Sequence, residues 1–444
     1  MNNSATEMEE KKSEISEPVE KPRVKVMERP RMPHVSLYLP RVLETREAAA
    51  TAVEEEGEKE LTINMGPQHP STHGVMQLQL DLEGEKVLAC RPIIGYLHRG
   101  IEKWSEARPY HQVMPITDRL DYVTAMTNNL GYSVAVEKLT GIKVPKRASY
   151  LRMIVAELSR LSDHLLWLGT QALDIGAMTV FLYAFREREE ILKMFEIICG
   201  ARLTTAYISI GGVRRDAPET FLAKAREFVD YFPGRVDEYE TLITNNRIWL
   251  GRTMGIGLLS PEDAVSYGVT GPALRGSGVA YDLRKSDPYC CYDEMDFDIP
   301  LGKVGDVYDR YKVRVEEMRQ SNRIIRQCLE NLPEGPVLSD DTRVALPKKT
   351  EVMMDMERLI HQFLILTKGF DAPVGEVYSA TEVPNGELGY HLVSNGSNKP
   401  WRMRVRGPSF LHVGVLPHLV KGHMVADVIA CIGSVNPVFG ECDR

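Results

Sequence analysis

Two histidines, His69 and His73, share one short segment, Gly66-Pro-Gln-His-Pro-Ser-Thr-His-Gly74. An imidazole can hold a metal, pass a proton or simply hydrogen-bond a loop backbone. A metal site would want further ligands close by, and none is evident. Asp174 interrupts an apolar helical stretch, Leu173-Asp-Ile-Gly-Ala177. A carboxylate there is costly to bury unless paired, so it reads either as a helix cap before Gly176 or as the charge partner of a histidine. Tyr122 falls early in an expected helix, on one face with Met126, Leu130 and Val134. It is either a core tyrosine or a phenol offered at a cavity wall as a hydrogen-bond donor. By residue type alone, the structural reading is the better supported for each of these residues.

Other chemistries have less support. The seven cysteines (Cys90, Cys199, Cys290, Cys291, Cys328, Cys431 and Cys442) are scattered, odd in number and without a CxxC. Neither a disulfide framework nor a nickel-iron or Fe–S centre held by this chain is expected. Gly255-Ile-Gly257 leads into Ser260 and not into the third glycine of a dinucleotide fingerprint, and no phosphate-binding GxxxxGK[ST] occurs. A net charge of −8 gives no general basic footprint for nucleic acid. The charged run Phe185-Arg-Glu-Arg-Glu-Glu-Ile191 and the arginines 402, 404 and 406 read as solvated faces or interface pairs.

These residues need a scaffold. At 444 residues, 43% hydrophobic and 26% charged, the chain is a folded protein too long for one compact core. Residues 1–60 mix acidic runs with a Pro-spaced basic stretch and read as a solvated tail. Residues 61–444 form the main domain, beginning with a β-hairpin region over 61–95. There Leu61, Ile63 and Met65 alternate, as do Met76, Leu78, Leu80 and Leu82, and the loop between them carries both histidines. A helical bundle is expected over 96–250. Thr117 or Asp118 caps a helix running to about Leu139, and Leu151, Ile154, Leu158, Leu161, Leu165 and Leu168 recur at helical spacing. A third helix follows Gly176. A fourth starts at Asp216, with a capping-box-like Glu219 and a break or kink at Pro233-Gly234. Gly- and Pro-rich residues 251–306 read as an irregular insertion. Over 307–444 the expectation is a helix from about Val304 to Leu329, then a helix over Met353–Thr367 among strands that include Trp401–Arg406. The class is α+β.

No apolar run reaches the roughly 18 residues a membrane helix needs. The first residues, Met1-Asn-Asn-Ser-Ala-Thr-Glu-Met-Glu-Glu, lack an apolar signal region and are too acidic for a transit peptide. The chain is therefore expected on the cytoplasmic side, with any membrane contact made through partners.

Many separate segments, in order, carry a resemblance. They are the 66–74 loop, Tyr96-Leu-His-Arg-Gly-Ile-Glu-Lys103, Asp118-Arg-Leu-Asp-Tyr-Val123, Asp174-Ile-Gly-Ala177, Phe185–Glu190, Asp296-Phe-Asp-Ile-Pro300, Tyr308-Asp-Arg-Tyr311, Arg314-Val-Glu-Glu-Met-Arg319 and Phe439-Gly-Glu-Cys-Asp-Arg444. From about residue 61 onward the chain resembles the D-subunit family of NADH-quinone oxidoreductase, respiratory complex I. The resemblance implies a fold shared with nickel-iron hydrogenase large subunits: a helical bundle flanked by small β elements. The metal site would be gone, because the hydrogenase cysteine pairs are reduced here to Cys442 and the vacated cavity receives a quinone headgroup.

Site residues follow from the same resemblance. His73 and Tyr122 match the pair that hydrogen-bonds the quinone oxygens, and Asp174 matches the acid paired with the histidine. Arg99 and Arg119 match arginines near the terminal 4Fe-4S cluster of the B subunit. It further implies C, I and membrane H subunits as partners, with FMN and the Fe–S clusters on partner subunits and quinone as substrate. Coupling to proton translocation at the inner membrane is implied as well. Many members carry a histidine where this chain has Thr204 in Arg202-Leu-Thr204, which puts that residue's tuning of the cluster in doubt. Alternatives are a ferredoxin-driven quinone reductase subunit of the same superfamily, or a scaffold subunit without chemistry of its own.

Overall fold

The computed structural model describes residues 24–26, 60–69 and 74–444. Strands β1 (Glu60–Met65), β2 (Gln77–Glu83) and β3 (Lys86–Ile93) form an antiparallel sheet in that order. The period-two pattern does its expected work, as Leu78, Leu80 and Leu82 are buried while Gln77, Gln79 and Asp81 are not. Between β1 and β2 the chain pairs again, Gln68–His69 against Gly74–Val75. His73 itself lies outside the described residues.

Five long helices follow: α1 (Ala125–Thr140), α2 (Lys146–Asp174), α3 (Met178–Cys199), α4 (Glu219–Ile243) and α5 (Val307–Glu330). Helices α2 to α5 share the largest core, which includes Leu158, Trp167, Phe195, Phe228 and Met318. A second core joins the β1–β3 sheet to two C-terminal helices, α6 (Pro408–Val420) and α7 (Val425–Val435). A third joins α1 to a second antiparallel sheet, β4 (Gly375–Val383), β5 (Gly386–Ser394) and β6 (Arg402–Arg406). The architecture is α+β, helices at the centre and small sheets at the flanks. No helix among the described residues is long and apolar enough to cross a membrane.

Several boundaries differ from the sequence reading, each for a local reason. The helix expected from Thr117 or Asp118 starts at Ala125, because the Asp121 carboxylate accepts from the Val123 and Thr124 amides and holds a turn there. Tyr110–Thr117 is a separate short helix, and Tyr122 sits on the bend between the two. Helix α4 starts at Glu219 and not at Asp216, whose carboxylate takes the Arg147 guanidinium and the Ala217 amide instead. It runs through Pro233 unbroken. Residues 251–306 hold short helices around loops and the strand Ile299–Leu301, which pairs in parallel with Val24–Val26. The late helix is split into Lys349–Met354 and Met356–Thr367 by Asp355, whose side chain caps the second piece.

Two regions stand at opposite extremes of burial. Met356–Thr367 buries none of its residues: Phe363 is 64% exposed, and Met356, Leu359 and Ile360 lie open as well. In contrast, α2 and α5 enclose an ion network with no access to water, in which Arg275 pairs with Glu317 and Glu382 while Arg284 pairs with Asp282 and Glu157. The charge-rich surface runs are ion pairs within the chain, such as Arg404–Glu102 at 2.6 Å and Arg186–Glu238 at 2.8 Å.

Candidate functional site

Helix α2 ends at Asp174 in a Schellman turn, in which the Ala177 amide bonds the Ala172 carbonyl at 2.7 Å and the Gly176 amide bonds Leu173 at 2.9 Å. Asp174 is thus the last residue of a helix and not the cap of the next one. A carboxylate at a helix C-terminus meets the negative end of the dipole, so its position asks for a reason beyond helix stability.

Tyr122 and Asp174, separated by all of α1 and most of α2, line one cavity of about 340 Å³. Asp163, Thr170, Asn436 and Val438 complete its polar and apolar wall. Tyr122 remains 36% exposed. Burial and the neighbouring Asp121 carboxylate push its phenol up from its ordinary value, against the pull of the Arg99 guanidinium. The hydroxyl therefore stays protonated at neutral pH and can donate.

Arg99 and Arg119 are exposed beside this wall and tied into it. Arg99 donates to the Arg119 carbonyl and, at 3.1 Å, to the Gly440 carbonyl. Arg119 donates to the Pro115 carbonyl and faces Asp118 at 3.8 Å. The structure thus brings Tyr122 and Asp174 onto one cavity wall, with Arg99 acting on Tyr122 and bonded to the Arg119 carbonyl; it does not place either arginine in that wall. The hairpin reaches the same region through Gly74: a Cβ there would lie 2.6 Å from the Phe439 ring, so only glycine permits the contact. Phe439 directly follows Val438 of the cavity wall.

Sequence reasoning missed Asp163 and Asn436. Asp163 is fully buried on α2, and the Asn436 amide donates to it at 3.1 Å. The signal was present, because Asp163-His164 interrupts the Leu158, Leu161, Leu165 period just as Asp174 interrupts its own. The cysteines are free thiols, and Cys442 is buried, its thiol pushed up to about 12 by desolvation. Thr204, which stands where the resemblance would place a histidine, holds a left-handed φ of 48°.

The site is thus a half-open cavity walled by a tyrosine and two carboxylates, in a helical α+β scaffold. Residues 174–444 match the family described as respiratory-chain NADH dehydrogenase, 49 Kd subunit. The chain is 56% identical over 384 residues to the D subunit of the NADH-quinone oxidoreductase of Geotalea uraniireducens, covering 86% of this chain and 98% of the relative. It is 54% identical over 398 residues to a D subunit, numbered 2, of the NADH-quinone oxidoreductase of Thermodesulfovibrio yellowstonii, covering 89% and 99%. The chain belongs to the D-subunit family of NADH-quinone oxidoreductases and is a subunit of an oxidoreductase complex.

Proposed function

We propose that the cavity between Tyr122 and Asp174 receives the quinone headgroup, and that this chain forms the quinone-reducing site of a proton-translocating complex. The observation that carries the reading is the convergence of Tyr122 and Asp174 on one cavity wall. His73 is assigned the second quinone oxygen, with Asp174 as its charge partner. The packing of Gly74 on Phe439 supports this, since it anchors one end of the loop beside the cavity.

A quinone taking two electrons develops negative charge on two oxygens. Donors in a site shielded from water stabilise that charge more than water would, because less solvent screens them. Tyr122 offers such a donor, kept protonated by its surroundings. A histidine beside Asp174 would offer the other, with its proton affinity raised by the carboxylate. Electrons are assigned to the terminal 4Fe-4S cluster of the B subunit, which Arg99 and Arg119 would face. The C, I and membrane H subunits are the further partners, at the cytoplasmic side of the inner membrane, with FMN and the remaining clusters on partner chains.

Tyr122→Phe tests the reading. The phenyl ring keeps the packing and removes the donor, so the complex should assemble and lose quinone turnover by about 10²-fold or more. A fully active Tyr122→Phe complex would make this chain a scaffold only.

A further inference from the structure

Asp163 lies on α2 about three turns before Asp174, so the two acids fall on one face of the helix, and both line the cavity. The quinone contacts assigned above do not use Asp163. It is only 1% exposed, and a carboxylate so far from bulk water must be held by donors. Its oxygens offer about four lone-pair positions. The Asn436 amide nitrogen meets them at 3.1 and 3.4 Å, and no other donor among the described residues lies within hydrogen-bond distance. The His164 Nδ1 atom stands further off, at 3.6 Å. Acceptor capacity is therefore left over on a group that fronts the cavity. The group is also held in place. The same Asn436 amide donates to Asn385 Oδ1 at 2.8 Å, and Asn436 takes a left-handed φ of 48° at the end of α7. Asparagine adopts that conformation more readily than most residues, so the clamp on Asp163 is built into the backbone.

The two redox forms of a quinone need opposite partners. A quinone oxygen is a carbonyl and only accepts. Two electrons from the complex's own reaction and two protons turn both carbonyls into hydroxyls, which donate. A phenol such as Tyr122 suits the carbonyl. A carboxylate suits the hydroxyl, in a charge-assisted hydrogen bond, and repels the lone pairs of the carbonyl. We infer that Asp163 is the cavity's acceptor for a hydroxyl of the reduced product, and that it makes the site favour hydroquinone over quinone. The O–H bond stays on the hydroquinone, and Asp163 neither gains nor loses a proton. The inference rests on reading the cavity as the quinone site.

Such a preference acts on the reaction itself. A couple bound more tightly in its reduced form is easier to reduce, because binding and reduction are linked. Each tenfold preference raises the two-electron midpoint potential of the bound couple by about 30 mV. A clamped acceptor serves this better than a mobile one, since nothing has to reorganise as the hydroxyl forms. Asp174 is committed to His73 in the same reading, which leaves Asp163 to meet the hydroxyl.

The test titrates the assembled complex, without NADH and without oxygen, with a short-chain quinone and separately with its hydroquinone. The two dissociation constants are compared between the native complex and two single variants. Asp163→Asn keeps the shape of the wall and replaces the carboxylate with an amide. It should weaken hydroquinone binding by about tenfold or more, as loss of a hydrogen bond to a charged acceptor does, and change quinone binding by less than about twofold. The midpoint potential of the bound couple should fall with it, by about 30 mV for a tenfold loss. Asn436→Gly keeps the left-handed turn and removes the clamp, so it should shift the ratio of the two constants in the same direction. Equal weakening of both forms in Asp163→Asn, as general damage to the wall would give, overturns the proposal. So does an unchanged ratio. If Asp163→Asn fails to assemble, the ratio in Asn436→Gly decides. Failure of the quinone reading would show separately, as retained turnover in Tyr122→Phe.

Discussion

The imidazole Nε2 of His164 lies 3.0 Å from a carboxylate oxygen of Glu317, and both side chains are cut off from water. Arg275 holds the other oxygen at 2.7 Å. His164 adjoins Asp163 in sequence and faces it at 3.6 Å, so the cavity wall is braced from behind by a buried ion network. Removing one member of such a set leaves its partners charged and unpaired. Glu317→Ala should therefore destabilise the chain by about 3–5 kcal/mol, read as a lowered unfolding midpoint. A cost below about 1 kcal/mol would show that the network does not brace the wall.

Stability should respond to pH in opposite senses at two sites. Burial raises the Glu317 carboxyl, but Arg275 and His164 outweigh it and hold the group well below its usual range. Its contribution is present above the ordinary carboxylate value and is lost as pH falls below it. Glu441 is pushed up from 4.5 to about 8, so its contribution is full below 4.5 and is lost as pH rises towards about 8. Glu441→Gln should flatten the alkaline decline, and native and variant melting curves at pH near 6 and near 9 check this. Parallel declines in the two proteins would remove Glu441 as the cause.

Gly440 sets the distance between the C-terminal helix and the segment that carries Tyr122. A Cβ there would lie 2.4 Å from the Leu120 carbonyl and 3.0 Å from both the Arg119 carbonyl and the Arg99 guanidinium. Gly440→Ala should push this segment outward, costing about 1–3 kcal/mol and raising KM for quinone. A variant with native KM would mean that Tyr122 is positioned independently of Gly440.

Asp174→Asn keeps the shape of the wall and removes its charge. Quinone reduction should slow, and protons moved per turnover should fall if charge change at this residue starts the coupling. Steady-state turnover and proton uptake by vesicles, measured together, are the readout. Native values for both would leave Asp174 without that role.

Thr204 carries a β-branched side chain at a φ of 48°, where L-residues lose about 1–2 kcal/mol. Asparagine tolerates this conformation better. Thr204→Asn should raise stability by up to about 1 kcal/mol with turnover unchanged, as thermal unfolding will show.

What the sequence made legible depended on how local each cause is. The hairpin followed from the alternation through Leu78, Leu80 and Leu82, and α2 from its leucine period, because each pattern is read within one element. Asp174 stood out as an acid in apolar surroundings. Tyr122 was misplaced onto a helix because nothing in the period reveals that Asp121 caps the two amides after it and delays the helix to Ala125. Asp163 shares the signature of Asp174, but the surrounding leucines made it look like one polar residue in a core helix.

The helix Met356–Thr367 leaves Met356, its leucines and Phe363 in water. A free copy of this protein therefore carries an adhesive stripe that owes nothing to its fold stability. Chaperones and proteases would meet that stripe first. The surplus a cell can tolerate is then set by one exposed helix, and synthesis of this chain has to keep pace with that of whatever covers it.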